Sequence, residues 1–180
     1  MHHLLRNPEK LAKLREEIDA SFGPDEIIAS FTKVRHLPYL KACVDENLRL
    51  TRSIPYGLPR KTPPDGTSVM DRWVAGSVTV SLPAYVAHRD AEIFPAPEDF
   101  RPERWLEEKA KDVLPYYIPF STGSRGCIGR NIAYLELHVL TAALIKRYDL
   151  QLEDEKFELE REDGHLLWTG PLPIMFQKRP

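Results

Sequence analysis

The sequence predicts a mainly α protein with a small β-region, the α+β class. Apolar residues repeat at helical spacing in three separate segments, whereas β-branched and aromatic residues cluster in one segment, residues 67–81. Proline is frequent, with 16 among 180 residues, which is close to twice its average share of about 5%. Long extended connections are therefore expected between the helices.

The first predicted helix begins at Pro8, because Asn7 is a favoured N-cap residue and proline is tolerated at the first helical position. Its apolar side chains repeat at helical spacing: Leu11, Leu14 and Ile18. The glycine and proline in residues 22–24 are expected to end this helix.

A second helix is predicted to begin at residues 37–38 and to stop before residues 53–55, where proline follows again. Three apolar side chains share one of its faces: Leu40, Val44 and Leu48. Glu46 and Arg49 lie on the same helix, three residues apart. Residues 67–81 then predict two short strands joined by a tight turn at Ala75-Gly76.

Residues 90–119 carry five prolines and little periodicity, so we expect an ordered meander around a short stretch at 107–112. A loop of this length inside a compact domain usually has a functional reason. After Gly129 a helical apolar period returns and predicts a long helix that ends near Tyr148. Strand-like pieces are expected around Phe157 and Met175, with turns at Gly164 and residues 170–171.

Composition limits the possible functions. Lys and Arg number 25 against 27 Asp and Glu, a formal charge of -2, so no basic surface is available for nucleic acid. The longest apolar stretch, residues 132–145, is interrupted by Glu136 and His138 and is too short to span a bilayer. The start lacks the features of a secretory signal. With only Cys43 and Cys127, a disulfide framework is not expected.

The most informative segment sets one thiol between glycines just before the long helix. It contains Phe120, Gly123, Arg125, Cys127 and Gly129. Backbone N–H groups and the positive end of a helix macrodipole favour a thiolate, the form that binds metal. Glycines allow the backbone to approach a flat ligand closely. Phe120 could keep water from the sulfur, and the guanidinium of Arg125 suits a carboxylate such as a heme propionate.

A lone cysteine beside one glycine would more often be a buried structural thiol. Here five positions agree at fixed spacing, and the pattern FxxGxRxCxG is matched in full at Phe120, Gly123, Arg125, Cys127 and Gly129. This segment resembles the heme-binding signature of the cytochrome P450 superfamily. The sequences of residues 119–133 and 99–105 resemble those of fungal members most.

Two further segments resemble motifs of the same family. Glu46 and Arg49 match its ExxR motif, and residues 100–105 match its PERF region with Trp105 in place of phenylalanine. Taken alone, either motif is weak, and a Glu and an Arg three residues apart on a helix are more often a solvated surface pair of little energetic weight. The resemblance implies that Glu46 and Arg49 join Arg104 in a buried charge network that fixes the meander over the cysteine loop.

The resemblance also suggests weaker assignments. His88 and Arg60 could each hydrogen-bond a heme propionate. For His88 a surface histidine is an equal alternative, and for Arg60 a solvated loop arginine is the favoured interpretation. Residues 54–58 and 167–170 correspond to substrate-contacting segments of the family. Cys43, on a helix with apolar neighbours, is expected to be a buried thiol and not a second ligand.

The resemblance covers residues 1–180 and implies a heme-thiolate monooxygenase, with Cys127 as the ligand to the iron of heme (iron protoporphyrin IX). Such an enzyme inserts one oxygen atom of O2 into a small lipophilic substrate and receives electrons from an NADPH-dependent flavoprotein reductase. The family's oxygen-activating helix and N-terminal membrane anchor are not recognised here. We therefore expect a partial cytochrome P450 domain, its C-terminal part. Full-length relatives are expected at the endoplasmic reticulum membrane, facing the cytosol.

Two other functions remain open from the sequence. The chain could be a noncatalytic remnant that holds heme through Cys127 without activating oxygen. It could also be a structural fragment that binds no heme.

Overall fold

The structure, a computed structural model, describes residues 1–23, 26, 28, 30–164 and 166–179. Its α-helices follow in chain order: α1 (His2–Leu5), α2 (Pro8–Ser21), α3 (Phe31–Val34), α4 (Pro38–Leu50), α5 (Ala84–Ala87), α6 (Ala110–Val113) and α7 (Arg130–Arg147). Short 3-10 helices lie at Pro102–Trp105, Leu114–Tyr116 and Gly123–Arg125. The predicted mainly α fold with a small β-region is confirmed.

The strands form two-stranded antiparallel sheets, each small and separate. They are β1 (Arg60–Lys61), β2 (Thr67–Val69), β3 (Arg72–Val74), β4 (Thr79–Val80), β5 (Tyr148–Leu152), β6 (Arg161–Asp163), β7 (Leu167–Thr169) and β8 (Ile174–Lys178). Strand β1 pairs with β4, β2 with β3, β5 with β8 and β6 with β7.

The core lies where α2, α4 and α7 pack together. Leu14 and Ile18 from α2, Leu40 from α4, and Ala142 and Ile145 from α7 are completely buried. These are positions of the helical periods read from the sequence, so burial of one apolar face explains why these segments are helices. The long helix that follows the cysteine loop is thereby anchored on α2 and α4.

The first predicted helix is present as α2, but its N-terminus differs from the expectation. Asn7 stands at the N-cap position without a side-chain capping bond, and its Nδ2 donates instead to the His3 carbonyl at 2.7 Å. That carbonyl belongs to α1, a short helix that the sequence did not predict. Pro24, which was expected to end α2, lies outside the described residues.

The predicted hairpin turn at Ala75-Gly76 is wrong. The hairpin joins β2 to β3 through Met70 and Asp71, which have positive φ angles of 47° and 61°. Gly76 serves another purpose, because a Cβ there would stand 1.8 Å from the Pro64 carbonyl oxygen. Glycine at 76 therefore allows close backbone approach between the hairpin and the preceding loop.

The C-terminal part contains the strand predicted around Met175, which is β8. The strand expected around Phe157 is absent at that position, since Phe157 lies between β5 and β6 and its N–H donates to Asp154 in a turn. Gly164 lies in the β6–β7 connection, as expected. Across the part of the chain that the structure describes, no helix has the length and apolarity needed to cross a membrane.

Candidate functional site

The cysteine loop is held by local backbone hydrogen bonds between its own residues. The N–H of Cys127 donates to the Phe120 carbonyl at 2.9 Å, and the N–H of Gly126 donates to the Gly123 carbonyl at 3.1 Å. Gly123 has a φ of 65°, a conformation that costs little only for glycine. The loop therefore closes on itself and fixes the backbone on both sides of the cysteine.

Cys127 lies immediately before α7. Gly129 is the N-cap residue of this helix, and the N–H of Arg130 donates back to the Cys127 carbonyl at 3.4 Å. A Cβ at Gly129 would stand 3.8 Å from the Cys127 sulfur, an ordinary contact distance. The sulfur thus lies beside the positive end of an 18-residue helix, which favours negative charge on it.

The Cys127 side chain is exposed, and the apolar side chains beside it along the chain are exposed too. Ile128 is 101% exposed and Ile132 is 65% exposed. Among the described residues no group of three or more His, Cys, Asp or Glu side chains could hold a metal ion. The protein therefore offers a single sulfur beside an uncovered apolar surface. Such a donor set fits a metal whose other ligands come from a flat apolar macrocycle, as in heme.

Phe120 was expected to cover the sulfur. Its ring lies 5.3 Å from the ring of Tyr134 on α7, at a tilt of 52°. This contact packs the start of the loop against the helix that follows it, so Phe120 fixes the loop on both sides of Cys127.

A cluster that the sequence did not predict joins α4, the cysteine loop and α7. The Tyr134 hydroxyl donates to Asp45 Oδ1 at 2.8 Å, and the Tyr117 hydroxyl lies 3.2 Å from the same oxygen. Lys41 pairs with the other carboxylate oxygen. Burial and the charge of Asp45 raise the pKa of both tyrosines, so the hydroxyls remain protonated donors. No local spacing indicates this cluster, because its members lie 72 and 89 residues apart.

Glu46 is the centre of a second buried cluster, and it is completely buried itself. Its Oε1 accepts hydrogen bonds from Arg49 Nη2 at 2.9 Å, Arg104 Nε at 3.0 Å and the Arg101 N–H at 3.0 Å. Its Oε2 accepts from Arg49 Nε at 2.9 Å and from Trp105 Nε1 at 3.0 Å. One carboxylate is thus the counter-ion that two buried guanidinium groups share.

The two arginines extend from Glu46 to the meander backbone. Arg49 Nη1 donates to the carbonyls of His88 at 2.8 Å and Pro97 at 2.7 Å. Arg104 donates to the carbonyls of Pro95 at 3.0 Å and Ala96 at 3.2 Å. Apart from that of His88, these carbonyls belong to the proline-rich meander, so the two arginines bind the meander backbone to α4. The structure brings Glu46, Arg49 and Arg104 together.

His88 is completely buried, and its Nε2 accepts a hydrogen bond from the Ile118 N–H at 2.8 Å. It therefore supports the segment that enters the cysteine loop, a role that the sequence did not indicate. Its Nδ1 has no partner among the described residues. The alternative of a surface histidine is wrong because the ring is buried. The suggested contact of His88 with a propionate stays a prediction, and Nδ1 is the ring nitrogen that remains for it.

Burial, together with the positive charge of Arg52, lowers the pKa of His88 to about 3. Between about pH 6.5 and pH 3 the unfolded chain therefore binds a proton at this residue that the folded chain does not, so acid favours unfolding. We expect His88→Gln, whose amide oxygen can still accept from Ile118, to lose less stability on acidification. The difference should reach about 1.4 kcal/mol per pH unit.

Urea unfolding from pH 7 to pH 4 measures this difference. His36→Gln, at an exposed histidine, is the matched control and should follow the unmodified chain. Parallel curves for His88→Gln and the unmodified chain would contradict this prediction, because they would show that folding does not change the protonation of His88.

The remaining predicted residues lie at the surface or in the core. Arg125 is exposed in the cysteine loop. Arg60 is exposed on β1, where its Nη1 donates to the Pro59 carbonyl at 3.0 Å. Cys43 is buried on α4, and burial raises the pKa of its thiol, which makes it a poor metal ligand.

The two segments expected to contact substrate lie side by side. The N–H of Leu167 donates to the Ser53 carbonyl at 2.8 Å. Residues from both segments, including Pro55 and Leu167, line a cavity of about 420 Å³. This volume is in the usual range for small-molecule pockets.

Comparison with known proteins agrees with this geometry. The family model described as cytochrome P450 matches residues 1–177. The chain is 39% identical over 175 residues to the cytochrome P450 monooxygenase atr2 of Stereocaulon alpinum, covering 96% of this chain and 34% of that protein. It is 40% identical over 183 residues to the cytochrome P450 monooxygenase cicH of Emericella nidulans, covering 99% of this chain and 37% of that protein.

A solved structure is also similar. The crystal structure of a cytochrome P450 (CYP102L1) superposes with a TM-score of 0.88 at 28% sequence identity, covering 99% of this chain and 40% of that one. The chain thus spans about a third of the length of the curated relatives that it matches. Since the family match extends over nearly all of its residues, the chain belongs to the cytochrome P450 family.

Proposed function

We propose that this chain is the heme-ligating, C-terminal part of a heme-thiolate monooxygenase, with Cys127 as the ligand to the heme iron. The observation that carries the proposal is the exposed Cys127 sulfur, fixed between glycines at the start of α7. The uncovered apolar side chains next to it support a flat apolar cofactor as the occupant.

The residues of the chain would act on the cofactor by position and charge. The closed loop from Phe120 to Cys127 holds the sulfur in one place, and the N-terminus of α7 stabilises its negative charge. Gly123 and Gly129 keep Cβ atoms away from the cofactor face. When bound, a heme with a thiolate ligand supplies oxygen activation, because the thiolate donates electron density that favours O–O cleavage.

Charged residues would hold the propionates of the heme. The exposed guanidinium groups of Arg125 and Arg60 each offer a planar set of donors that suits a carboxylate. His88 could contribute its unpartnered Nδ1. Glu46, Arg49 and Arg104 would act at a distance from the cofactor, by fixing the meander that leads into the cysteine loop.

The proposed reaction inserts one oxygen atom of O2 into a small lipophilic substrate. Electrons would come from an NADPH-dependent flavoprotein reductase, as the family resemblance implies. A location at the endoplasmic reticulum membrane, facing the cytosol, belongs to the same proposal and would require an anchor outside these residues.

A second candidate is a heme-binding chain that does not activate oxygen. Because residues 1–180 match about a third of each relative's length, turnover has to be measured separately from heme binding.

The test is a reduced, CO-bound difference spectrum of the purified chain after heme reconstitution. A thiolate opposite CO moves the Soret band far to the red, and we expect that band. Its appearance with turnover supports the monooxygenase, and its appearance without turnover supports the second candidate. A chain that binds no heme would exclude both.

A further inference from the structure

The cavity of about 420 Å³ beside the end of α4 contains an arginine without a counter-ion. Arg52 lines this cavity and is only 3% exposed. Its Nη2 donates to the Arg49 carbonyl at 3.1 Å, whereas its Nε and Nη1 are buried and have no partner among the described residues.

The neighbouring arginines differ from Arg52 in this respect. Arg49 is paired with Glu46, and Arg89 is paired with Glu98. Among the described side chains no carboxylate forms an ion pair with Arg52. Burial and the charges of Arg89 and Arg49 lower its pKa to about 10, so the guanidinium is still charged at neutral pH. A buried cation of this kind costs several kcal/mol unless an anion joins it.

A second arginine makes the same cavity more positive. Arg161 on β6 also lines it, and no described side chain forms an ion pair with Arg161. The Arg89 guanidinium lies 3.9 Å from the centre of the Tyr85 ring, and Tyr85 is a further lining residue.

The rest of the lining is largely apolar and includes Leu50, Pro55, Val86 and Leu167. A ligand with one negative charge would neutralise the buried cation. A hydrocarbon part of the same ligand would pack against the apolar lining. We propose that this cavity binds a small carboxylic acid, with its carboxylate on Arg52 and its apolar part against these side chains. Because the two segments expected to contact substrate line this cavity, the proposal names a substrate class and in that sense rests on the proposed function, although binding can be measured without heme.

The test is isothermal titration of the 180-residue chain, with and without heme, using acids and their neutral alcohols as probes. The pairs are octanoate with 1-octanol and benzoate with benzyl alcohol. A charge-assisted hydrogen bond to a buried guanidinium should favour the acids. We expect whichever of the two acids binds more tightly to exceed its own alcohol in affinity at least about tenfold. Because binding is measured by heat, a missing heme spectrum would not affect this result.

Variants then show which arginine binds the carboxylate. Arg52→Gln should abolish the preference for the acid, and it should still fold because it removes an uncompensated buried charge. Arg161→Gln should reduce the preference by a smaller factor. Arg72→Gln, which removes the same charge from the exposed strand β3, is the matched control and should leave the preference unchanged. Circular dichroism checks the fold of each variant.

Several outcomes would overturn the proposal. Equal binding of acids and alcohols would mean that charge does not contribute to binding. If Arg52→Gln still preferred the acids, another residue would be binding the carboxylate. Inorganic phosphate binding as tightly as the acids would indicate an anion site without apolar selection. Binding of the peptide acetyl-Leu-Glu-Leu-amide, with no binding of the small acids, would indicate that the cavity receives a carboxylate of a polypeptide segment.

Discussion

Cys127→Ala is expected to abolish the red-shifted Soret band of the reduced, CO-bound chain completely. The physical reason is that residues 118–133, the cysteine loop and its flanks, contain no other Cys, His, Asp or Glu that could replace the sulfur. Alanine keeps the backbone bond from residue 127 to Phe120, so the loop should retain its shape. Loss of the band would therefore report loss of the ligand and not of the fold.

The matched control is Cys43→Ala, which removes the other thiol of the chain. Cys43 is buried in the core, so this change should cost some stability and leave the spectrum unaltered. Thermal unfolding of both variants separates the two effects. If Cys127→Ala kept the red-shifted band, the ligand assignment would be wrong, and if Cys43→Ala alone lost it, the buried thiol would be the ligand.

The helices that carry the site could be predicted from the sequence because their signals are local. Helix α7 follows a glycine and shows an apolar period that its packing against α2 and α4 explains. The cysteine loop was recognised from fixed spacing of glycines around one thiol. In both cases the residues that decide the structure are neighbours in the chain.

The turn of the β2–β3 hairpin could not be located in the same way. Tight hairpin turns favour glycine or asparagine at positions of positive φ, and that rule predicted the turn at Ala75-Gly76. The protein instead uses Met70 and Asp71 in this conformation. Glycine is needed at 76 because the Pro64 backbone approaches it closely. This is a tertiary contact, so the residues around position 76 do not reveal it.

Long-range polar partners outside the recognised motifs could not be predicted either. Asp45 directly precedes Glu46, the first residue of the ExxR match. The sequence around Asp45 nevertheless does not indicate that Tyr117 and Tyr134 both contact its carboxylate. Arg52 follows the end of α4 and looks like an ordinary exposed loop arginine in the sequence. Only the packing of β6 and β7 nearby reveals that it is buried beside a cavity.

Glu46→Gln is expected to lower the free energy of unfolding by about 3–5 kcal/mol, the usual cost of removing one partner from a buried ion pair. The side chain keeps its size, but the amide has one acceptor oxygen and one NH2 group. If the oxygen faces Arg104 and the Arg101 N–H, the NH2 group faces two other donors, Arg49 Nε and Trp105 Nε1. Either orientation leaves donors unpaired and two buried guanidinium groups without a counter-ion.

Urea unfolding at neutral pH measures this loss, with Glu158→Gln as the matched control. Glu158 forms an ion pair with Arg6 but its side chain is 78% exposed, so water screens the pair and the control should change little. A Glu46→Gln loss as small as that of the control would mean that water enters the cluster in solution. The expected large loss would instead show that one carboxylate holds the meander on α4, because the arginines that bind Pro95, Pro97 and His88 carbonyls are themselves held by Glu46.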